Sequence, residues 1–232
     1  MVGAAWLVQH TFVLLLASPQ PDETNGFTYI ACYKPALTLC SLQSDIERSQ
    51  RKNRDPRKTL ADLDVPLPVT KHGLHIVGRL DRDSEGLLLL TDDGHFTASV
   101  LSEKCHKEYW ALINCGLPST ESMEKMRGGN LNIRGAITRP PLVLNILETK
   151  KRESLALPPP VPGMDRGTNW LEVHLNEGKN RQVRKITGCA GHKTVRLCRV
   201  AIGSFRLQDH EDLLQPGTWK YISRESVESV EL

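Results

Sequence analysis

Three carboxylates and two guanidinium groups crowd into Gly78-Arg-Leu-Asp-Arg-Asp-Ser-Glu-Gly86: Asp81, Asp83 and Glu85 with Arg79 and Arg82. Apolar runs flank them, His75-Ile-Val77 before and Leu87-Leu-Leu-Leu90 after, so the charge falls on a loop between two strands. A solvated turn has this composition too, because Asp favours turns. Loops held between rigid strands are also where catalytic groups stand, and a carboxylate kept ionised by a nearby guanidinium can serve as nucleophile or base.

A second charged stretch, Glu177-Gly-Lys-Asn-Arg-Gln-Val-Arg-Lys-Ile186, puts Arg181, Arg184 and Lys185 at helical spacings. Arg181 and Lys185 would share a face and form a ridge that follows phosphates, while a further arginine would point inward to a buried acid. A solvated charge run is the plain alternative. From Gly178 to Arg206 the chain has eight basic residues (Lys179, Arg181, Arg184, Lys185, Lys193, Arg196, Arg199, Arg206) and no acidic one, whereas a merely solubilising surface mixes signs; this favours nucleic-acid contact. Beyond Asp209 the sign reverses, with Asp209, Glu211, Asp212, Glu225, Glu228 and Glu231 against Lys220 and Arg224.

Metal and nucleotide chemistry find little support. There is no Gly-x-x-x-x-Gly-Lys, no Gly-x-Gly-x-x-Gly opening a helix, and His72-x-x-His75 lacks a third ligand at an informative spacing. Asp92-Asp93-Gly94 reads as a turn. The expectation is no metal and no cofactor, with a metal-dependent nuclease using Asp81, Asp83 and Asp93 as a minor alternative.

The elements that must position these groups follow from pattern. Strands are predicted at 28–33, 75–77, 87–90, 107–114, 142–148, 170–175 and 218–222, with a strand pair over 194–207 bent near Gly203. Helices are predicted around 59–63, 96–101, 119–127 (Ser119 as cap, Gly128-Gly129 as stop) and 180–189. The polar, basic stretch 41–58 reads as a mobile loop, and Pro158, Pro159, Pro160 and Pro162 within 155–168 make a stiff excursion that no sheet interior accepts. Strands outnumber helices without strict alternation, so the fold class is α+β, a mainly antiparallel mixed central sheet flanked by helices and loops.

At 232 residues, 39% hydrophobic and 25% charged, the chain supports one real core and excludes collagen, coiled-coil arrays and channels. Six scattered cysteines without a Cys-x-x-Cys pair fit free thiols in a reducing compartment. Val2 to Ala17 is apolar but lacks a basic leader and is interrupted by Gln9 and His10; it reads as a targeting element or an added extension, too short and polar for a comfortable membrane span.

The unbroken run Gly78-Arg-Leu-Asp-Arg-Asp-Ser-Glu-Gly-Leu-Leu-Leu-Leu-Thr-Asp-Asp-Gly94 resembles the signature of the pseudouridine synthases that act on ribosomal RNA, in the branch with small-subunit enzyme A and large-subunit enzymes B, E and F. Lys107-Glu-Tyr109 resembles that family's Lys-x-Tyr strand, Leu175 to Arg184 with Gly191-His192 its third motif, and Tyr33-Lys-Pro35 its early strand end. Within the branch, Arg57-Lys-Thr-Leu60, the proline-rich insertion and the lack of an N-terminal S4 domain point to the enzyme E group. Lys193 departs from the family's usual proline, and Val2 to Ala17 has no counterpart in it.

The resemblance implies an extension at 1–26, a pseudouridine synthase catalytic domain at 27–222 with the insertion at 155–168, and an acidic tail at 223–232. It implies cofactor-free isomerisation of a uridine, by breaking the bond from ribose C1′ to uracil N1, turning the base and rejoining it through C5. Asp81 would be the catalytic carboxylate held by a charge-assisted bond from Arg184, and Tyr109 would stack on the flipped uracil and help remove the C5 proton. Arg79 would fill the gap that the uridine leaves. Lys34, Lys179, Arg181, Gln182 and Lys185 would complete substrate binding. The implied partner is ribosomal RNA of the large subunit, met by a monomer without a membrane, in bacterial cytoplasm or in an organelle if the N-terminus targets one. A binding module for RNA or ribosome assembly is the alternative.

Overall fold

Tyr29-Ile-Ala-Cys-Tyr-Lys34 is rich in aromatic and β-branched side chains, and in the structure, a computed structural model, it forms strand β1 (Tyr29–Lys34), buried throughout. Residues 26–63, 73–155, 167–213 and 215–227 are described. The N-terminal extension up to residue 25, residues 156–166 of the proline-rich excursion and residues 228–232 of the acidic tail lie outside them.

The other strands are β2 (His75–Val77), β3 (Glu85–Thr91), β4 (Lys107–Ile113), β5 (Asn132–Ile133), β6 (Ala136–Ile137), β7 (Val143–Ile146), β8 (Asn169–Leu175), β9 (Thr194–Ile202), β10 (Phe205–Arg206) and β11 (Trp219–Tyr221). The main sheet runs β11-β1-β3-β9-β4-β8-β7, with β2 also on β3 and β10 on β9. Its described pairings are antiparallel except β3 with β9, which meet at Glu85 with Cys198 and Gly86 with Arg199. This is the expected α+β arrangement around a mainly antiparallel mixed sheet.

Both faces of the sheet are covered, which is why Leu87 to Leu90 is continuously apolar instead of alternating. Side chains alternate along each strand. Leu87, Leu89, Trp110, Cys198 and Val200 pack on one face with Phe96 and Val100 of α2 (Gly94–Leu101). On the other, Ala111, Ile113, Leu171 and Val173 pack under α3 (Thr120–Arg127) and α5 (Gln182–Cys189), and Ile30, Cys32, Leu88 and Leu90 form a neighbouring cluster. Tyr109 touches both clusters of that second face. The helix caps are those read from sequence: Asp93 accepts from the Phe96 amide (2.9 Å) and Ser119 from the Ser122 amide (3.1 Å).

Five elements differ from expectation. Within 41–58 a short helix forms at Ile46–Arg51, and the segment is tied down by buried Asp45, whose carboxylate binds Arg54, Arg57 and the Ser49 hydroxyl; the expected mobile loop is an anchored arm. The helix expected at 59–63 is only a 3-10 turn, Leu60–Asp62, held by reciprocal Thr59 and Asp62 bonds. The β5–β6 hairpin and a helix at Thr149–Glu153 carry weak local signals and were not expected. Finally, α5 starts at Gln182, because Arg181 is left-handed (φ 54°, ψ 36°) and stands before the helix. No described helix is long and apolar enough to cross a membrane.

Candidate active site

Asp81 lies on the loop joining β2 to β3, and the backbone of that loop is held from four sides. Arg199 of β9, 2% exposed, donates through Nη2 to Gly78 O and through Nε to Leu87 O, both at 2.8 Å. The Leu80 amide donates to Cys40 Sγ at 3.3 Å. Lys34 Nζ donates to Pro35 O (2.8 Å) and Thr38 O (2.7 Å) and reaches Arg82 O at 3.5 Å. Arg184 of α5 donates to Asp83 O and Thr194 O, both at 2.9 Å.

Irregular backbone must find partners for its carbonyls. Here Lys34, Arg184 and Arg199 supply them, and bonds from a cation are roughly twice as strong as neutral ones. Ser84 N–H closes the turn on Asp81 O at 3.1 Å. The loop then enters the sheet through Gly86 (φ +103°), where a Cβ would stand 2.3 Å from Arg199 O, so only glycine lets β3 approach β9 here.

Above the second face of the sheet this loop borders a cleft of about 490 Å³. The loop contributes Arg79, Leu80, Asp81 and Ser84; β4 contributes Tyr109; β8 and β9 contribute Leu175 and Leu197; and Glu177 to Val183 form the facing wall. A register shift on β4 between Glu108 and Tyr109 aims the half-buried Tyr109 at this position. The cleft thus has an apolar floor, one flat aromatic ring, two carboxylates (Asp81 and, in the facing wall, Glu177) and a basic mouth, and its size suits a small ligand or a single extruded base.

Across the mouth, Arg181 binds Asp83 with both terminal nitrogens at 2.8 Å, and its Nη1 stands 3.6 Å from Asp81 Oδ2. The Arg181 hydrogen bonds hold the Asp83 carboxyl below its usual range. Burial pulls the Arg184 guanidinium down, and burial pushes the Lys34 ammonium down to about 8. Among the described residues three buried side-chain atoms have no hydrogen-bond partner, Ser84 Oγ, Arg184 Nε and Gln208 Oε1, and of these residues Ser84 lines the cleft, where its hydroxyl can meet a ligand.

Asp81, Tyr109, Arg79, Lys179, Arg181 and Gln182 therefore come together around one space. Some expectations need correction. Arg184 is not bonded to Asp81: its terminal nitrogens hold loop and strand carbonyls, and the guanidinium nearest Asp81 belongs to Arg181. Lys34 is fully buried under its three carbonyl acceptors, so it shapes the loop from behind and does not face the cleft. Gln182 does line the cleft, with both side-chain groups engaged in its wall, donating to Glu177 (2.6 Å) and accepting from the Lys179 amide (3.0 Å).

Lys185, one turn into α5, is half-buried and does not line the cleft, and Arg181 is outside the helix, so the two form no helical ridge. Arg199, Cys40 and Ser84 were missed. Arg199 had a signal: one arginine inside Leu197-Cys-Arg-Val-Ala-Ile202 must be buried, and a buried cation needs acceptors.

The trio Asp81, Asp83 and Asp93 does not assemble. Asp93 caps α2 and receives the Tyr29 hydroxyl at 2.8 Å, and the described residues hold one cluster with metal-ligand spacing, Glu108, Glu172 and His174. Lys151 already occupies that cluster, 2.9 Å from Glu108 and 2.6 Å from Glu172, with Arg206 also on Glu108, so its donors serve ion pairs.

The profile of the RNA pseudouridylate synthase family matches residues 28–187. A Vibrio vulnificus protein named ribosomal large subunit pseudouridine synthase E is 39% identical over 178 residues, 75% of this chain and 70% of that protein. Its Xanthomonas campestris namesake is 39% identical over 175 residues, 73% of this chain and 85% of its own. Ribosomal small subunit pseudouridine synthase A of Vibrio vulnificus is 28% identical over 210 residues, 89% of this chain and 75% of that protein. A solved structure titled as a pseudouridylate synthase superposes with a TM-score of 0.62 at 25% identity, covering 87% of this chain and 72% of that one.

Proposed function

The chain belongs to the RNA pseudouridylate synthase family, and from that premise we propose that it isomerises a uridine of ribosomal RNA in the cleft between Asp81 and Tyr109. The enzyme class follows from the family. The observation that carries the site is the Asp81 carboxylate, on a loop braced by buried Lys34 and Arg199 and part-buried Arg184, lining one cleft with the Tyr109 ring of β4. Large-subunit RNA is the substrate we favour, on the names of the relatives at 39% identity. A bacterial chain would meet that RNA in the cytoplasm, and a monomer is the working unit we propose.

In this reading the uridine leaves its stack and lies against Tyr109, with Leu175 and Leu197 excluding water around the base. Asp81 acts on the ribose or the uracil as the bond from C1′ to N1 breaks, and the base turns and rejoins through C5, which then gives up its proton to solvent while N1 takes one up. Preorganisation is the contribution of the braced loop: a carboxylate held within about 3 Å of the reacting atom removes the entropy of finding it. Arg79, Lys179 and Arg181 at the mouth attract phosphates and offset the cost of unstacking, a few kcal/mol.

The test is tritium release from C5-labelled large-subunit ribosomal RNA, with wild type and Asp81→Asn, each with and without EDTA. Release that survives EDTA and disappears in the variant, with RNA affinity kept within a few fold, is the expected result. RNA binding without release from either protein would replace this reading with the binding module.

A further inference from the structure

The arm between Ser41 and Lys58 has no part in the cleft lining, yet it is built onto the catalytic loop. Its two feet are paired: the Leu39 amide donates to Lys58 O (2.8 Å), the Leu60 amide to Ser41 O (3.0 Å), and Leu39 bridges Thr59. These feet stand against the loop, where Cys40 Sγ accepts from the Leu80 amide and Leu60 packs with Leu80 in the cluster that Tyr109 touches. The arm therefore rises beside the loop that carries Asp81, while Lys179 and Arg181 stand on the facing wall.

Apolar packing does not hold the arm. The helix Ile46–Arg51 buries only Ser49 and leaves Ile46 53% exposed. Asp45 holds it instead, accepting from Arg54 Nη2 (3.0 Å), the Ser49 hydroxyl (2.8 Å) and the Arg57 amide (3.1 Å) and pairing with both guanidinium groups. With Arg54 and Arg57 so engaged, the cations left over are Arg48, Arg51, Lys52 and Lys58, all exposed and, among the described residues, without an ion pair or a side-chain hydrogen bond. The arm's exposed acids, Glu47 and Asp55, pair with none of them. Arg48, Arg51 and Lys52 fall at spacings of three and four on one flank of the helix, where like charges repel. A polyanion lying along that flank relieves the repulsion and releases its own counterions.

We propose that this arm is a second RNA-binding surface, in which Arg48, Arg51 and Lys52 grip phosphates of the RNA that flanks the uridine in the cleft. Asp45 fixes that surface beside the catalytic loop. This rests on RNA as the substrate, and it assigns affinity to a segment that touches no reacting group. Contacts to phosphate hold and orient RNA without reading its sequence.

The experiment compares wild type, Arg48→Gln/Arg51→Gln and a charge-matched control, Lys150→Gln/Arg152→Gln, with melting temperatures to confirm folding. The control cations are exposed on the helix Thr149–Glu153, whose Lys151 binds Glu108 on the face of the sheet turned away from the cleft. Filter binding of large-subunit ribosomal RNA is read from about 50 to 400 mM KCl. At roughly 0.7–0.9 per phosphate contact, the arm variant is expected to lower the slope of log affinity against log salt by about 1.5 and to weaken binding roughly 15-fold at about 0.15 M salt, with the control within about twofold of wild type. The single-turnover rate at saturating RNA is expected to stay at the wild-type value, since neither arginine lines the cleft. Unchanged slope and affinity would overturn the inference and make the arm a solvated surface. Equal losses in the arm variant and the control would overturn it too, because net charge alone would account for both. A lowered saturated rate at unchanged affinity would likewise overturn it and make the arm a support of the cleft.

Acetylation of wild type by a lysine-reactive reagent tests the contact without a variant. Lys52 is expected to be protected at saturating RNA while exposed Lys150 reacts as fast as in the free protein; equal modification of Lys52 with and without RNA refutes the contact. Neither binding measurement depends on turnover. Wild type that binds RNA in this way but releases no tritium would overturn the functional reading and leave the role of the arm standing.

Discussion

Gly86→Ala attacks the one place where the catalytic loop is joined to the sheet by parallel pairing. The new Cβ would stand 2.3 Å from Arg199 O, 2.7 Å from Arg199 N and 2.8 Å from Cys198 Sγ, so β3 and β9 must separate. The positive φ of +103° costs an L side chain about 1–2 kcal/mol, and overpacking against backbone adds about 1–3. Displacing Arg199 also weakens its bonds to Gly78 O and Leu87 O, each worth about 1.5–3 kcal/mol.

Partial relaxation trims these contributions, and a net loss of about 4 kcal/mol is expected. For a chain of this size that corresponds to roughly 8–16 °C in Tm. Urea denaturation followed by tryptophan fluorescence, which reports buried Trp110, measures it. Gly94→Ala is the control: nothing lies within 4 Å of its Cβ position and it opens α2, so stability should hold or rise by up to about 1 kcal/mol. A Gly86→Ala midpoint within 1 kcal/mol of wild type would refute the argument that this glycine sets the approach of the two strands.

Burial holds the Lys34 ammonium near 8, so above that pH it loses charge and its grip on Arg82 O; the single-turnover rate should fall on this limb, and Lys34→Met should be slow at every pH without it, which a pH–rate profile checks. From about pH 8 to 10.5 the folded state binds fewer protons than the unfolded one at this residue, so its contribution to stability rises with pH, opposite in sign to the activity. Glu108→Gln leaves Lys151 and Arg206 without their buried partner and should cost about 3–5 kcal/mol in urea denaturation, while activity per folded molecule is kept because Glu108 faces away from the cleft. Burial works to raise the Glu108 carboxyl, but Lys151 and Trp110 hydrogen bonds with the Arg206 charge hold it below its usual value, so this stabilisation is present above about pH 4.5 and is lost as acid protonates it. Asp45→Asn removes the shared partner of Arg54 and Arg57, and trypsin should then cut between Arg48 and Lys58 faster than in wild type; equal cleavage would show that the arm is held by something else.

Much of the architecture is local, and therefore legible from the chain alone. The aromatic and β-branched run of β1, the leucine run of β3, and the Asp93 and Ser119 caps each depend on neighbours a few residues away. The unbroken Gly78 to Gly94 run likewise identifies the loop with its carboxylate and the family. Register and side-chain alternation then place Tyr109, Leu175 and Leu197 on the face that Asp81 borders.

The partners of the charged groups were decided by tertiary structure. Arg199 reaches Gly78 across 121 residues and Arg184 reaches Asp83 across 101, and no periodicity in either segment encodes those meetings. Sequence alone therefore assigned Arg184 to Asp81, Lys34 to the substrate, and Arg181 to a helical ridge. A buried cation or amide must find acceptors wherever the fold supplies them, and in this fold the nearest ones are backbone carbonyls and wall residues. Spacing along the chain determined which groups would be charged and which surfaces apolar; only the crossing of β3, β9 and α5 determined which charge faces which.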